Sequence, residues 1–312
     1  MRTGDTSERS NIYDLVIIGA SAAGLSAAVY ASRRKLNFLV VASDTGGEMA
    51  LSGEIENWPG VVHTTGVELT DKFREQAKAN QIPVKEGVKI SEIKREGNFF
   101  LINGYKAKTI IVSSGVHPRE LGIPGEKEFR AKGLSYCTVC DGPLFGGKTV
   151  VTIGGGNSAL ESAVMMAEIA SKVYVINKNK QFKGDAVLID KVVNGLAKKN
   201  IEVIYEAVTT RILGNGFVSG VEYKDAAGNL KTLKVDGVFV HIGMIPNSDL
   251  VPKEVERNEY GEIKIDIASR TNVPGFFAAG DVTDVPYKQL AIAAGQGVAA
   301  ALSAVDYLNK TK

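Results

Sequence analysis

The chain has 312 residues and two cysteines, which sit three apart in Cys137-Thr138-Val139-Cys140-Asp141-Gly142-Pro143. That spacing lets the two sulfurs join across one turn, and a helix start or a nearby positive charge can lower one thiol's pKa enough to make it a nucleophile. A redox dithiol is the leading reading, with two others beside it. Structural zinc needs four ligands, but there is no second Cys pair, and His63, His117 and His241 are too scattered for a His arm. No metal is therefore expected. The third reading is a pair of inert buried thiols. In a reducing cytosol such a disulfide is a catalytic intermediate rather than a staple, and the expected location is cytoplasmic. Asp141 suits two roles equally: an acid that protonates a departing thiolate, or a helix cap or turn residue.

Whatever places this pair has to be built from an internal echo. The apolar run Tyr13–Ile18 ends at Gly19-Ala20-Ser21-Ala22-Ala23-Gly24 and enters a helical pattern through Ser32. The run Lys148–Ile153 likewise ends at Gly154-Gly155-Gly156-Asn157-Ser158-Ala159 and enters a helix through about Ala170. Each helix leads to a second strand, 37–41 in the first copy and 172–176 in the second. Glycine lets the backbone turn tightly against a pyrophosphate, and the following helix offers it unpaired N–H groups and the positive end of its dipole. The two copies read as βαβ dinucleotide-binding units, with Ser21 replacing the middle glycine of the first. They also give the 34 glycines a reason.

Gly/Pro breakpoints follow apolar strands at 113–118 and 242–246, one on each side of the second unit. They predict an inserted domain at 118–245, within a first domain made of 1–117 plus 246–312. The fold class is α/β, with two Rossmann-like three-layer nucleotide-binding domains, the second inserted in the first. Composition agrees with a folded two-domain chain: 44% hydrophobic and 23% charged, with 37 Lys+Arg against 35 Asp+Glu. The near balance leaves no electrostatic footprint for nucleic acid or an anionic membrane. Residues 291–305 form the most apolar long stretch, but Gln296 and two glycines interrupt it, and no membrane span is expected. Residues 1–11 are polar and read as a frayed leader without a secretory core. Phe277-Ala278-Ala279-Gly280-Asp281 could place a carboxylate against a cofactor, although a plain strand and turn suits the spacing better. The same holds for Gly46-Gly47-Glu48 and for 54–60, where Trp58 would be a partly buried anchor and Pro59 and Gly60 turn residues.

Together these motifs resemble the low-molecular-weight thioredoxin reductases and, equally, the flavoprotein part of bacterial alkyl hydroperoxide reductase. The likeness runs from Tyr13 to about Leu308. It rests on Gly19-x-Ser21-x-x-Gly24, Glu54-Ile55-Glu56-Asn57-Trp58-Pro59-Gly60, Cys137-Thr138-Val139-Cys140-Asp141-Gly142, Gly154–Ala159, Phe277–Asp281 and Tyr287-Lys288-Gln289. The resemblance implies a class II pyridine nucleotide-disulfide oxidoreductase: an FAD domain from both chain ends, an inserted NAD(P)H domain bearing the dithiol, and a homodimer. Electrons would pass from nicotinamide to flavin, to the disulfide, and on to a thioredoxin-like or glutaredoxin-like protein. By match to the motif, Cys140 would face the flavin as the charge-transfer thiolate, Cys137 would attack the partner, and Asp141 would serve as acid/base. FAD would be held by Gly19, Ser21, Ala23, Gly24, Gly47, Glu48, Asn57, Gly115, Gly280, Asp281, Lys288, Gln289 and Leu290. Glu48 stands where the thioredoxin reductases typically have glutamine.

The nicotinamide donor would meet Gly154, Gly156, Asn157, Ser158, Asn177, Lys178, Lys183 and Gly243. Here the family pattern breaks. The His-Arg-Arg cluster that clamps a 2′-phosphate is replaced by Asn177-Lys178-Asn179-Lys180-Gln181-Phe182-Lys183, and the acidic residue of an NADH site is Asn177. Three lysines without bidentate geometry favour NADPH, with NADH possible and a merely solvated basic loop as the alternative reading. The resemblance also implies a domain rotation, for which Gly115 and Gly243 are placed to act as hinges. The peroxiredoxin-system flavoproteins normally carry an N-terminal thioredoxin-like extension with its own C-x-x-C. This chain starts at the flavin unit and is expected to need an external acceptor. A flavin-binding redox module with weak or no NAD(P)H use is a further alternative.

Overall fold

A parallel strand covered on both faces needs apolar side chains without alternation. Leu15, Val16 and Ile17 in one run and Val150 and Val151 in another meet that demand, and all five are fully buried. The computed structural model describes residues 12–52, 54–195 and 200–311; the polar leader expected at 1–11 lies outside them. The chain begins with β1 (Ile12–Ala20), α1 (Ala22–Arg33), β2 (Phe38–Thr45), β3 (Glu54–Ile55), β4 (Thr64–Thr65), α2 (Gly66–Ala79), β5 (Val84–Lys85), β6 (Ile93–Glu96), β7 (Phe99–Ile102), β8 (Tyr105–Val112) and β9 (Val116–Pro118). It continues with α3 (Glu126–Phe129), β10 (Leu134–Ser135), α4 (Thr138–Asp141), β11 (Thr149–Ile153), α5 (Asn157–Ile169), β12 (Lys172–Asn177), α6 (Ala186–Val193), β13 (Ile201–Tyr205), β14 (Val208–Asn215), β15 (Phe217–Lys224), β16 (Leu230–Leu233) and β17 (Gly237–Val240). It closes with β18 (Met244–Pro246), β19 (Phe276–Ala278) and α7 (Leu290–Lys310).

The residues divide into two units, one up to 117 together with 245 onward, the other 118–244. In the first, β1 lies between β2 and β8, both parallel to it, in a sheet of order β5-β2-β1-β8-β7-β6 with β19 also paired to β8. Leu15 and Ile17 face a core shared with α1, α2 and α7, while Val16 and Ile18 face one completed by Val251, Val255, Ile263 and Val273. The α1 and α7 helices meet through small residues: a Cβ on Gly297 would lie 2.0 Å from the Ala23 carbonyl oxygen. This close fit gives α7 a packing partner, although by length and composition alone it could cross a membrane.

In the second unit the parallel sheet runs β10-β17-β11-β12-β13. The α5 and α6 helices cover one face. The other face packs on the antiparallel β14, β15 and β16 through Ile212, Val218 and Val221, so its third layer is a small sheet rather than helices.

Both glycine turns rest on one contact. Gly19 has φ of +106°, and a Cβ there would lie 2.2 Å from the Ser113 carbonyl oxygen; Gly154 has φ of +149°, and a Cβ there would lie 2.0 Å from the His241 carbonyl oxygen. Neither the dihedral nor the space admits a side chain. Gly19→Ala and Gly154→Ala should each destabilise their own unit by about 3 kcal/mol or more. Urea unfolding of each variant checks this, and an unchanged midpoint would contradict the steric reading.

Candidate active site

In the first unit, residues far apart in sequence gather at the start of α1. The Ser21 hydroxyl donates to the Gly46 carbonyl at 2.5 Å instead of capping the helix, so the cap side chain leaves the first-turn N–H groups unclaimed. A Cβ on Gly47 would lie 3.7 Å from Ser21 Cβ, and one on Gly280 would lie 3.1 Å from Ala23 Cβ. Gly24 packs back on the turn, its missing Cβ only 1.9 Å from the Gly19 carbonyl oxygen. Asn57 Nδ2 donates to Gln289 Oε1 at 3.1 Å across 232 residues of sequence. Leu290, beside it, opens α7. Trp58 is half-buried with its ring 5.8 Å from that of Phe73. A ring of small residues around a helix start with unclaimed N–H groups is the donor set that a dinucleotide pyrophosphate requires, so these residues fit FAD.

Two carboxylates share this region. Burial raises the Glu48 pKa, and the charges of Asp281 and Asp44 raise it further against a lowering by His117; burial also raises that of Asp281, against a lowering by Lys288. The Lys288 ammonium lies 2.8 Å from Glu262 and donates to the Thr283 carbonyl, so it is held by the protein itself. Gly115 follows β8 with φ of +64°, and its carbonyl accepts the Asn247 N–H at 2.9 Å.

In the second unit, the start of α5 carries no side-chain cap, and nothing lies within 4 Å of a Cβ placed on its cap residue Gly156. Asn157 is exposed and turned to Asp185, donating to its carboxylate at 3.0 Å and accepting its N–H at 2.7 Å; Ser158 is exposed beside it. The loop after β12 folds around buried Asn177, which donates to the Gln181 carbonyl at 3.0 Å and accepts the Asn179 N–H at 3.1 Å. Its amide is committed to shaping the loop, unlike a carboxylate aimed at a ribose. Lys183 reaches the glycine turn through its backbone, donating to the Gly155 carbonyl at 2.7 Å, while its side chain and that of Lys178 are exposed. Lys180 lies 3.8 Å from Glu206. Gly243, past β17, has φ of +110°.

Cys137 and Cys140 are joined as a disulfide. Cys137 is half-buried and is the cap residue of α4, its Sγ accepting the Cys140 N–H at 3.2 Å; Cys140 is exposed. Asp141 ends α4 and stands at the cap position of the next turn, where its side chain does not serve as the cap. The structure adds supports that spacing did not reveal. Ser135 Oγ accepts the Cys137 N–H at 3.0 Å and donates to the Cys137 carbonyl at 3.1 Å. Buried Glu126 accepts the N–H groups of Leu121 and Gly122 and the hydroxyl of Tyr136, which precedes the first cysteine. Burial, then this carboxylate, push the Tyr136 hydroxyl pKa far up. His241, one residue past β17, has its imidazole pKa pushed down to about 4 by desolvation, and its Nε2 lies 2.8 Å from Thr138 Oγ1.

A family profile described as pyridine nucleotide-disulphide oxidoreductase matches residues 13–297. The alkyl hydroperoxide reductase F subunit of Pseudomonas putida is 40% identical over 313 aligned positions, covering 96% of this chain and 59% of that protein. The chain thus spans about three-fifths of the length of such curated relatives. Among solved structures, Lactococcus lactis thioredoxin reductase in its FR conformation matches with a TM-score of 0.86 at 31% identity, covering 96% of this chain and 99% of that one. The T. acidophilum thioredoxin reductase matches with a TM-score of 0.83 at 39% identity and the same coverage.

The raised Glu48 pKa fixes the sign of a stability test. The folded state holds this proton more tightly than the unfolded chain, so stability falls as pH rises from the ordinary carboxylate range through the folded pKa. Glu48→Gln removes the buried charge. Its melting temperature should exceed that of the parent at pH 7, and the two should converge toward pH 4. A variant that melts lower at pH 7 would contradict the assigned cause.

Proposed function

The chain belongs to the pyridine nucleotide-disulphide oxidoreductase family and is an oxidoreductase of that fold, and on that premise we propose that it is a thioredoxin-disulfide reductase using FAD and NAD(P)H. Its acceptor is the disulfide of a thioredoxin-like or glutaredoxin-like protein, and we place it in the cytoplasm as a homodimer. The observation that carries this reading is the Cys137–Cys140 disulfide on a surface turn, with a backbone N–H on the Cys137 sulfur.

Bound FAD would supply two-electron exchange between a nicotinamide and a disulfide. Gly19, Ser21, Ala23, Gly24, Gly47, Glu48, Asn57, Gly115, Gly280, Asp281, Lys288, Gln289 and Leu290 are the residues we assign to holding it. Gly154, Gly156, Asn157, Ser158, Asn177, Lys178, Lys183 and Gly243 are those we assign to the nicotinamide donor. Asn177 acts by shaping the selector loop, and the exposed Lys178 and Lys183 supply charge near the glycine turn without a guanidinium fork, which favours NADPH.

In the dithiol state, the Cys140 N–H that now reaches the Cys137 sulfur would stabilise a thiolate there, as hydrogen-bond donors at a helix start do. That thiolate attacks one sulfur of the partner disulfide, and the other partner sulfur leaves as a thiolate. Cys140 then attacks Cys137, closing the disulfide and releasing the partner dithiol, so two electrons and two protons leave the pair. Asp141, adjacent to Cys140, is assigned the proton traffic.

A second reading has its own support. The 40% identity to the alkyl hydroperoxide reductase F subunit favours a flavoprotein serving a peroxiredoxin system. Anaerobic mixing with NADPH or NADH, followed by thioredoxin disulfide or by peroxiredoxin disulfide together with the thioredoxin-like segment of such a flavoprotein, separates the two. Flavin bleaching identifies the donor, and reoxidation by one acceptor alone identifies the system. Reduction by dithionite but by neither nucleotide would overturn both. Cys137→Ser should retain nucleotide-driven bleaching yet lose protein-disulfide reduction by at least about a thousandfold. Retained reduction would overturn the role of Cys137.

A further inference from the structure

Four residues is too short for a helix to hold itself, since nucleation costs more than one turn returns. The α4 segment is such a helix, and Thr138 is its one buried residue. The tertiary anchoring of the segment between the cysteines therefore passes through this side chain. Thr138 Oγ1 lies 2.7 Å from Ser162 Oγ on α5 and 2.8 Å from His241 Nε2, and Ser162 Oγ lies 3.1 Å from Thr152 Oγ1 on β11. Thr138, Ser162 and Thr152 are all buried. The three hydroxyls and one imidazole form a chain of hydrogen bonds that runs from His241 through Thr138 on the disulfide turn to Ser162 and Thr152.

His241 is itself fixed. Its N–H donates to the Ile153 carbonyl at 2.8 Å, and its own carbonyl packs against Gly154. The imidazole is thus pinned to the glycine turn at its backbone and to the disulfide turn at its Nε2. Desolvation keeps the ring neutral at neutral pH, so Nε2 either donates to Thr138 or accepts from it, according to tautomer.

We propose that His241 is a positioning residue of the dithiol, acting through Thr138 to hold the Cys137–Cys140 turn in the arrangement that closes the disulfide. This deepens the reductase reading and rests on it. A turn held ready keeps the two thiols at high effective concentration, which favours the closed bond. Releasing the turn lowers that concentration and makes the bond easier to reduce. The loss of one hydrogen bond should move the equilibrium roughly three- to tenfold.

The test needs neither nicotinamide nor a protein acceptor. The purified 312-residue chain is equilibrated anaerobically in graded ratios of reduced to oxidised dithiothreitol, and free cysteines are counted by alkylation and mass. The exchange balances: dithiothreitol gives two electrons and two protons to the Cys137–Cys140 bond and becomes its own cyclic disulfide. His241→Phe should shift the equilibrium toward the dithiol about three- to tenfold, a potential about 15–30 mV less negative, and Thr138→Val, which keeps the volume but removes the bonds to both His241 and Ser162, by at least as much. Thr138→Ser should titrate like the parent, and the double variant should match Thr138→Val alone, because His241 acts through that hydroxyl.

A His241→Phe protein that titrates within twofold of the parent would overturn the inference even where Thr138→Val shifts, because Thr138 also bonds Ser162; an unshifted Thr138→Val protein would overturn it equally. Additive shifts in the double variant would overturn it as well. A disulfide that stays closed in every buffer, the parent included, would remove the reductase reading and this inference together. Normal opening in parent and variants alike would remove this inference alone.

Discussion

Each unit depends on one backbone contact, a neighbouring strand's exit pressed against the first glycine of the turn. Ser113 leaves β8 by donating its N–H to the Ile18 carbonyl at 2.8 Å while its own carbonyl fills the space a Gly19 side chain would need. His241 leaves β17 by donating to the Ile153 carbonyl at 2.8 Å while its carbonyl fills the same space at Gly154. In both cases a glycine with positive φ, Gly115 or Gly243, follows two residues later. The sequence echo is thus an echo of contacts. The glycine turn, the strand beside it and the way out of the unit form one object, built twice, and the helices of both turns start where this contact sets them.

The turns, their strands and the break regions were legible because each carries a local signal: an apolar β-branched run, a glycine cluster or a Gly/Pro break. The cysteine pair was legible because spacing alone permits the bond. Long-range side-chain partnerships were not. Nothing near Thr138 announces Ser162 or His241, and nothing near Glu126 announces that its carboxylate gathers Leu121, Gly122 and Tyr136. Asn177 was legible as a departure from both nucleotide patterns, but its commitment to Gln181 and Asn179 emerges only once the loop has closed.

Polar groups withdrawn from water set much of the chemistry. Glu126 is buried and offsets that cost with three donors, which fixes the segment leading into Cys137. Glu48 and Asp281 have fewer protein donors and respond by holding protons more tightly than free carboxylates. His241 responds in the opposite direction and stays neutral. The carboxylates near the start of α1 have their pKa values raised by burial, while the links from Thr138 run through hydroxyls and a neutral ring.

The two residues between the cysteines live in different media. Thr138 is part of the interior of its unit, whereas Val139 is 39% exposed. Letter order inside the motif therefore carries information that composition does not. Exchanging the two would leave a Cys-x-x-C of identical atoms, yet it would set an isopropyl group against Ser162 and His241 and present a hydroxyl to water. The motif is one surface residue and one core residue wide, and only one of the two orders matches the pocket behind it.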